Sequence, residues 1–145
     1  MSTLTDTVTT LEPFAGQKTV LLTTYRRDGT PVDTPVHIAV EGGRAFMRTY
    51  DKAYKTKRLR RRPEADLWLA SNGTAPAALA LARPKDAHRV GAPLHVRARE
   101  LDGEDSRRAA AALARKYPLL HGLLIPRAHR MQGARTVNLE LVPVA

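Results

Sequence analysis

Two glycine-containing turns in the first third of the chain constrain the fold more than any other feature of the sequence. Asp28-Gly29 and Gly42-Gly43 each separate runs that are rich in β-branched and aromatic residues. Turns of this composition accommodate the positive φ angles that hairpin connections need, and the runs predict strands over 19–25, 31–40 and 45–50. Consecutive strands joined by short turns pair antiparallel, so this part of the chain is predicted to form a meander.

The second of these predicted strands contains Pro31 and Pro35, which have no backbone N–H to donate. Such a strand must lie at an edge, carry a bulge or leave one side free near Thr34-Pro35-Val36. Backbone that is left unpaired there is available to a ligand.

Three more strands are predicted from alternating polar and apolar residues, over 65–71, 93–101 and 136–142. Six short antiparallel strands favour a small barrel, because closure removes exposed strand edges. The predicted fold is therefore mainly β with helices (α+β), a six-stranded antiparallel barrel in a single domain over 1–145.

Asp51 is a candidate N-cap for a helix over 52–62. Pro63 ends this helix, since the residue before a proline avoids the helical region.

Acidic residues in the opening segment Asp102–Ser106 and Arg115-Lys116 at the other end favour a second helix that runs to about Lys116, because they complement the helix dipole. Two further helices are predicted, over 2–12 and 74–85. The apolar run 119–126 stays unassigned.

The chain carries a formal net charge of +10 at pH 7, and most of it comes from residues 44–62. This segment holds nine of the 24 lysines and arginines and one acid, so we expect an anion to bind there. The charge alone is compatible with a phosphorylated cofactor, with nucleic acid, or with a solvated surface and its counterions. Backbone N–H groups in the first helical turn would meet an anion beside Lys55, Arg48 and Thr49.

Several other classes of site are excluded or disfavoured by composition. The chain has no cysteine, so it has no disulfide, catalytic thiol or thiolate metal site. The five histidines show no close ligand spacing, and no metal site is predicted. No apolar run approaches the roughly 20 residues of a membrane span, and the cytoplasm is the expected location. Aromatic residues within the basic segment keep single-stranded nucleic acid open as an alternative: Phe46, Tyr50 and Tyr54.

Four segments together resemble the split β-barrel flavin- and deazaflavin-binding family. They are Lys18–Pro31, Thr34-Pro35-Val36, Arg48-Thr49 and Lys55–Pro63. This FMN-binding-like family is related to pyridoxamine-phosphate oxidase and includes the PPOX class of coenzyme F420-dependent oxidoreductases. The resemblance covers about residues 11–142 and is most specific in the N-terminal half.

The resemblance implies a homodimer whose cofactor lies in a groove between the two subunits. It implies that the cofactor phosphate is held by Arg48, Thr49, Lys55, Lys57 and Arg58. It also implies that the isoalloxazine-type ring is lined by the backbone around Thr34, Pro35, Val36 and His37.

The resemblance also implies an activity. Coenzyme F420 bears a phosphate and an oligoglutamate tail, which suit a net charge of +10 better than FMN, the alternative cofactor. The expected reaction is hydride transfer between the reduced deazaflavin and a small organic substrate. No catalytic side chain is assigned, because the cofactor supplies the hydride chemistry. A cofactor carrier of the same fold without turnover and a basic nucleic-acid-binding module remain alternatives.

Overall fold

The computed structural model describes residues 10–76, 85 and 87–144. Its strands are β1 Val20–Tyr25, β2 Pro31–Val36, β3 Ile38–Glu41, β4 Arg44–Tyr50, β5 Glu64–Ala70, β6 Arg89–Glu100 and β7 Thr136–Pro143. Its α-helices are α1 Tyr54–Arg61, α2 Gly103–Lys116 and α3 Ile125–Met131, and a π-helical segment, Leu120–Leu124, leads into α3. A 3-10 turn, Glu12–Phe14, precedes the first strand.

The main difference from the sequence prediction lies in the second strand. The run 31–40 was expected to form one strand, but His37 divides it into β2 and β3. β2 pairs with β1, ending at the register Val20↔Val36, and β3 pairs with β4, starting at Ile38↔Met47. The chain therefore changes partner at His37, and the described residues form seven strands instead of the predicted six.

All seven strands join one antiparallel sheet in the order β2-β1-β5-β6-β7-β4-β3. The sheet has two ends and is not closed by hydrogen bonds, so the predicted closed six-stranded barrel is not confirmed. Its two end strands are nevertheless consecutive in the chain, with only His37 between them. Because β2 is an end strand, Pro31 and Pro35 do not interrupt a second ladder, in agreement with the edge predicted from them.

One apolar core is shared by every strand of the sheet. It includes Val20, Leu22, Val36, Ile38, Met47, Leu67, Val96 and Leu141. Since residues of all the strands meet in a single cluster, the sheet curls around this core. A second cluster lies on the other face of β3 and β4, where Ala39 and Phe46 pack against α2 through Ala109 and Leu113.

The helices predicted over 52–62 and from the segment 102–106 to about Lys116 are confirmed as α1 and α2, but the cap of α1 was wrong. Ala53 occupies the N-cap of α1 and makes no side-chain cap bond. Asp51 instead accepts a hydrogen bond at Oδ1 from the backbone N–H of Arg135, at 3.0 Å. Lys52 consequently lies before the helix, not in its first turn.

The helices predicted over 2–12 and 74–85 fall largely outside the described residues. The unassigned run 119–126 forms the π-helical segment and the start of α3. Within the described part of the chain, no helix has the length and apolar character needed to cross a membrane.

Candidate functional site

A cavity of about 270 Å³ lies where the chain passes from β2 to β3. Its wall combines the end of β2, the end of β4, the start of α1, and the segment that leads into α3. The lining residues are Pro35, Val36, His37, Arg48, Thr49, Tyr50, Lys55, His121 and Ile125. The sheet order explains this meeting, because β2 and β4 come together only where the chain crosses between the two ends of the sheet.

Arg48 is half-buried in this wall. Its Nη1 donates a hydrogen bond of 2.7 Å to the backbone carbonyl of His121. Its Nε is buried and has no hydrogen-bond partner among the described residues. Burial lowers the pKa of the guanidinium below its usual value, and no carboxylate forms an ion pair with it in the described part of the chain.

Lys55 brings a second half-buried cation to the same cavity. Burial lowers the pKa of its ammonium group, and the charge of Arg58 lowers it further. No ion pair of the described residues includes Lys55. The cavity thus holds two positive charges that no carboxylate of the described residues neutralises.

Thr49 is tied to the beginning of α1. Its Oγ1 lies 3.0 Å from Oγ1 of Thr56, and Thr56 donates its own hydroxyl proton to the backbone carbonyl of Tyr50 at 2.7 Å. Because a threonine hydroxyl has one proton, Thr49 is the donor to Thr56. Thr49 therefore positions α1 against β4 and keeps only acceptor capacity for a ligand.

A buried pair of histidines forms another part of the wall. Nδ1 of His37 lies 3.2 Å from Nε2 of His121, and the two rings meet edge to face at 5.4 Å between centroids. Tyr117 stacks on His37 at 4.8 Å. His37 is 7% exposed, and its Nε2 has no hydrogen-bond partner among the described residues. Burial, with smaller effects from Lys116 and Lys55, lowers the pKa of His37 to about 4, so its ring is neutral near pH 7.

Lys116 at the end of α2, and Tyr117 directly after it, bind backbone carbonyls near the break between β2 and β3. Lys116 donates to the backbone carbonyl of Ile38 at 2.8 Å, and Tyr117 donates its hydroxyl to the backbone carbonyl of Lys18 at 2.8 Å. Burial lowers the pKa of Lys116 to about 8 and raises the pKa of Tyr117. The carbonyl at the start of β3 is therefore anchored to a helix.

Six of the nine site residues predicted from the sequence line this cavity: Pro35, Val36, His37, Arg48, Thr49 and Lys55. Three do not. Thr34, in β2, pairs with Leu22 of β1, and Arg58 donates from Nε to Oγ1 of Thr24 at 2.7 Å. Lys57 is exposed, with its Nζ 5.6 Å from the centroid of the Tyr54 ring. The roles assigned to these three residues remain predictions.

Sequence reasoning missed Tyr50, His121 and Ile125. His121 follows Leu119-Leu120 and precedes Leu123-Leu124-Ile125, so it is the one polar side chain near the middle of an apolar run. A buried polar side chain needs a hydrogen-bond partner. The position of a single histidine within an apolar run was therefore the sequence signal that could have identified His121. Its partner, His37, is 84 positions earlier in the chain, and only the fold could identify it.

A larger groove of about 650 Å³ lies elsewhere, between α1, β6 and β7. Much of its wall is apolar, including Leu59, Leu139 and Val142. Its cations are already neutralised, because Arg60, Arg97 and Arg99 pair with Glu100, Glu64 and Glu140 respectively. The smaller cavity is therefore the candidate site for an anionic ligand.

No protein-family model matches the chain, and no curated protein matches its sequence. Solved structures do match its fold. HutZ, the heme storage protein from Vibrio cholerae, has a TM-score of 0.64 and 15% identity, over 93% of this chain and 88% of that one. A putative pyridoxamine 5'-phosphate oxidase from Listeria innocua has a TM-score of 0.59 and 15% identity, over 93% and 90%.

A FAD-binding protein from Mesorhizobium loti has a TM-score of 0.61 and 13% identity, over 92% of this chain and 86% of that one. The chain thus has the fold of the pyridoxamine-phosphate-oxidase-like proteins. Identities this low establish the fold alone.

Proposed function

We propose that this protein is an oxidoreductase that binds coenzyme F420 in the cavity beside His37 and transfers hydride between the reduced deazaflavin and a small organic substrate. One observation carries the proposal. Arg48 and Lys55 face the same cavity, both half-buried, and neither has a carboxylate partner among the described residues.

Two such cations fit a ligand phosphate on energetic grounds. A charge removed from water loses hydration free energy, and only a counter-charge or hydrogen bonds restore it. Within the described part of the chain, the buried Nε of Arg48 has no hydrogen-bond partner and the ammonium group of Lys55 has no acid partner. A phosphate between them would satisfy both, so we assign phosphate binding to Arg48 and Lys55.

The preference for a deazaflavin over FMN rests on the rest of the basic segment. Arg60 forms an ion pair with Glu100. Among the described residues, Arg61 and Arg62 contact only Tyr25. These two arginines leave positive charge near the same helix for an acidic tail. Coenzyme F420 has such a tail, whereas FMN ends at its phosphate.

The residues of the chain bind and orient the cofactor, and the cofactor when bound supplies the hydride chemistry. The Pro35–His37 backbone would lie against the ring. Val36 and Ile125 give the cavity apolar walls that keep water from the reacting atoms.

We also propose a homodimer in which a second copy of the chain would complete the wall of this cavity.

Titration of the purified protein with coenzyme F420 and with FMN, followed by fluorescence, tests the proposal. We expect F420 to bind more tightly than FMN. A dissociation constant above about 100 μM for both, equivalent to about −5.5 kcal/mol, would refute the cofactor site. Tighter binding of FMN would refute the deazaflavin assignment alone.

A cofactor-binding protein without turnover is the second candidate, and one observation favours it. One protein of this fold, HutZ, is a heme storage protein. Tight binding of F420 without oxidation of the reduced cofactor by any of a broad panel of electrophiles would favour this candidate. A parallel titration with hemin, followed by its absorbance, tests whether the bound cofactor is heme.

A further inference from the structure

The His37–His121 pair has a property that neither ring has alone. The two rings share one hydrogen bond, between Nδ1 of His37 and Nε2 of His121 at 3.2 Å. A neutral imidazole has one N–H and one lone pair. If His37 donates the shared bond, its outer nitrogen Nε2 is an acceptor. If His121 donates, Nε2 of His37 becomes a donor.

Moving the shared proton therefore changes what His37 offers to a ligand. When His121 takes up a proton at its outer nitrogen and passes its Nε2 proton to His37, a proton becomes available at Nε2 of His37. The reverse sequence removes a proton from a ligand at the same atom. Both rings line the cavity, and Nε2 of His37 has no partner among the described residues.

We propose that the His37–His121 pair is a proton relay that gives a proton to, or takes one from, a ligand atom lying against Nε2 of His37. His37 is the catalytic residue and His121 acts through it as a positioning and relay residue. The identity of the reaction rests on the proposed function, but the coupling of the two rings does not.

The surroundings of His37 suit a relay that works with neutral rings. Lys116 faces it from the end of α2, Tyr117 from the position directly after that helix and Lys55 from α1, while Arg48 borders the cavity from β4. The cavity wall has no carboxylate in its described residues that would hold a second proton on the pair. The pKa of His37, lowered to about 4 mainly by burial and to a smaller extent by Lys116 and Lys55, agrees with a neutral ring.

The proposed step balances for a substrate that contains a carbonyl or imine group. When bound, a reduced deazaflavin would supply hydride, and with it two electrons, to the substrate carbon. The π bond of the substrate breaks, and its electron pair on oxygen or nitrogen takes the proton from Nε2 of His37. The Nε2–H bond of His37 breaks, Nδ1 of the same ring receives the shared proton from Nε2 of His121, and His121 takes up a proton from water at its own Nδ1, so that both rings end neutral. Oxidation of the corresponding alcohol or amine runs these transfers in reverse.

Nuclear magnetic resonance of the cofactor-free protein, with 15N in the histidine rings, tests the coupling directly. In the wild-type protein we expect His37 to be neutral at pH 7 and to populate both tautomers. His121→Phe keeps a ring but removes both nitrogens, so the Nε2 signal of His37 should change. His88→Gln, at an exposed histidine outside the cavity, is the matched control and should leave the signal unchanged.

Two results of this experiment would overturn the relay. One is a wild-type His37 held in a single tautomer both with and without added F420. The other is a His37 spectrum that is the same in the wild-type protein and in His121→Phe. The first measurement needs no variant, so the proposal can be refuted even if His121→Phe does not fold.

A kinetic measurement tests the role of the pair in the reaction. His37→Gln should lower the rate of substrate reduction by about 100-fold or more, the usual contribution of a general acid. His121→Gln, which can donate to His37 but cannot pass a proton on, should lower the rate by about tenfold and flatten its pH profile. Equal rates in all these proteins would refute a catalytic role. If neither F420 nor FMN binds, the proposed function fails, while the resonance experiment still decides whether the rings are coupled.

Discussion

Arg44 and Arg48 are four residues apart on β4 and lie on the same face of that strand, yet their surroundings are opposite. Arg44 donates from Nε and Nη2 to the two oxygens of Glu140, at 3.1 and 2.8 Å, and lies 3.5 Å from Asp105. Arg48 meets only a backbone carbonyl among the described residues. The hydrogen bond to Glu140 raises the pKa of Arg44, whereas burial lowers the pKa of Arg48.

This difference separates cations that stabilise the fold from cations that are available to a ligand. Glu140 also accepts from Arg99 at 2.8 Å, so the paired group joins β4, β6 and β7. The unpaired group, Arg48 and Lys55, faces the cavity instead. Variants in the first group should change stability, and variants in the second should change binding.

The largest expected effect is on the paired group. Glu140→Gln keeps the shape of the side chain but removes the charge that faces Arg44 and Arg99, so the free energy of unfolding should fall by about 3 kcal/mol. Urea denaturation measures this change. The affinity of this variant for F420 should stay within about twofold of the wild-type value. A large loss of affinity with unchanged stability would show instead that the paired group serves binding.

Acid should destabilise the protein through His37, whose pKa is lowered mainly by burial. Its folded pKa of about 4 lies below the unfolded value of 6.5, so the unfolded chain binds the proton first. Stability is complete above about pH 6.5 and is lost as the pH falls toward 4. Between pH 7 and 5 the wild-type protein should lose about 2 kcal/mol more than His37→Phe, as measured by urea denaturation. An equal loss in both proteins would show that His37 titrates normally.

Arg48→Met should weaken F420 binding by about 30-fold, which corresponds to the loss of one charge-assisted hydrogen bond of about 2 kcal/mol. Arg44→Met is the matched control, since it makes the same change on the same face of β4. We expect that control to lose stability and to keep its affinity. Fluorescence titration of both variants gives the two dissociation constants, and equal values would remove Arg48 from the site.

Lys55→Met should weaken F420 binding by about tenfold. Its free energy of unfolding should be unchanged or higher, because the substitution removes a half-buried charge that has no acid partner among the described residues. Titration and urea denaturation of the same preparation test both statements. A marked loss of stability would mean that Lys55 has a structural role.

The smallest expected effect is at Lys57, which the sequence assigned to the phosphate and the structure leaves exposed beside Tyr54. Lys57→Ala should change the dissociation constant for F420 by less than about twofold, since exposed charges contribute little. A tenfold loss in the same fluorescence titration would show that Lys57 reaches the cofactor.

Much of the architecture could be predicted from local sequence patterns. The turns at Asp28-Gly29 and Gly42-Gly43 place their glycines at positive φ angles of 89°, 58° and 75°. The strands and helices that these and other local signals predicted are present as β1, β4 to β7, α1 and α2. Such signals depend on a few neighbouring residues, so they can be interpreted without knowledge of the tertiary contacts.

Long-range pairing could not be predicted. No local signal shows that the chain leaves β1 at Val36 and joins β4 at Ile38, because that change depends on two different partner strands. The same limit applies to His121, whose π-helical segment brings it to His37 across 84 positions. The predicted N-cap at Asp51 was wrong for a related reason. Its carboxylate accepts a hydrogen bond from the backbone N–H of Arg135, which is distant in the sequence.

The sequence by itself determined that this protein has a basic strand-to-helix segment, residues 44–62. Charge depends on composition, which no fold can change. Only the tertiary structure decided which cations are free to bind, because pairing and burial depend on carboxylates supplied by distant strands and helices. Glu140 on β7 occupies Arg44 and Glu100 on β6 occupies Arg60, while Arg48 and Lys55 remain at the cavity beside His37.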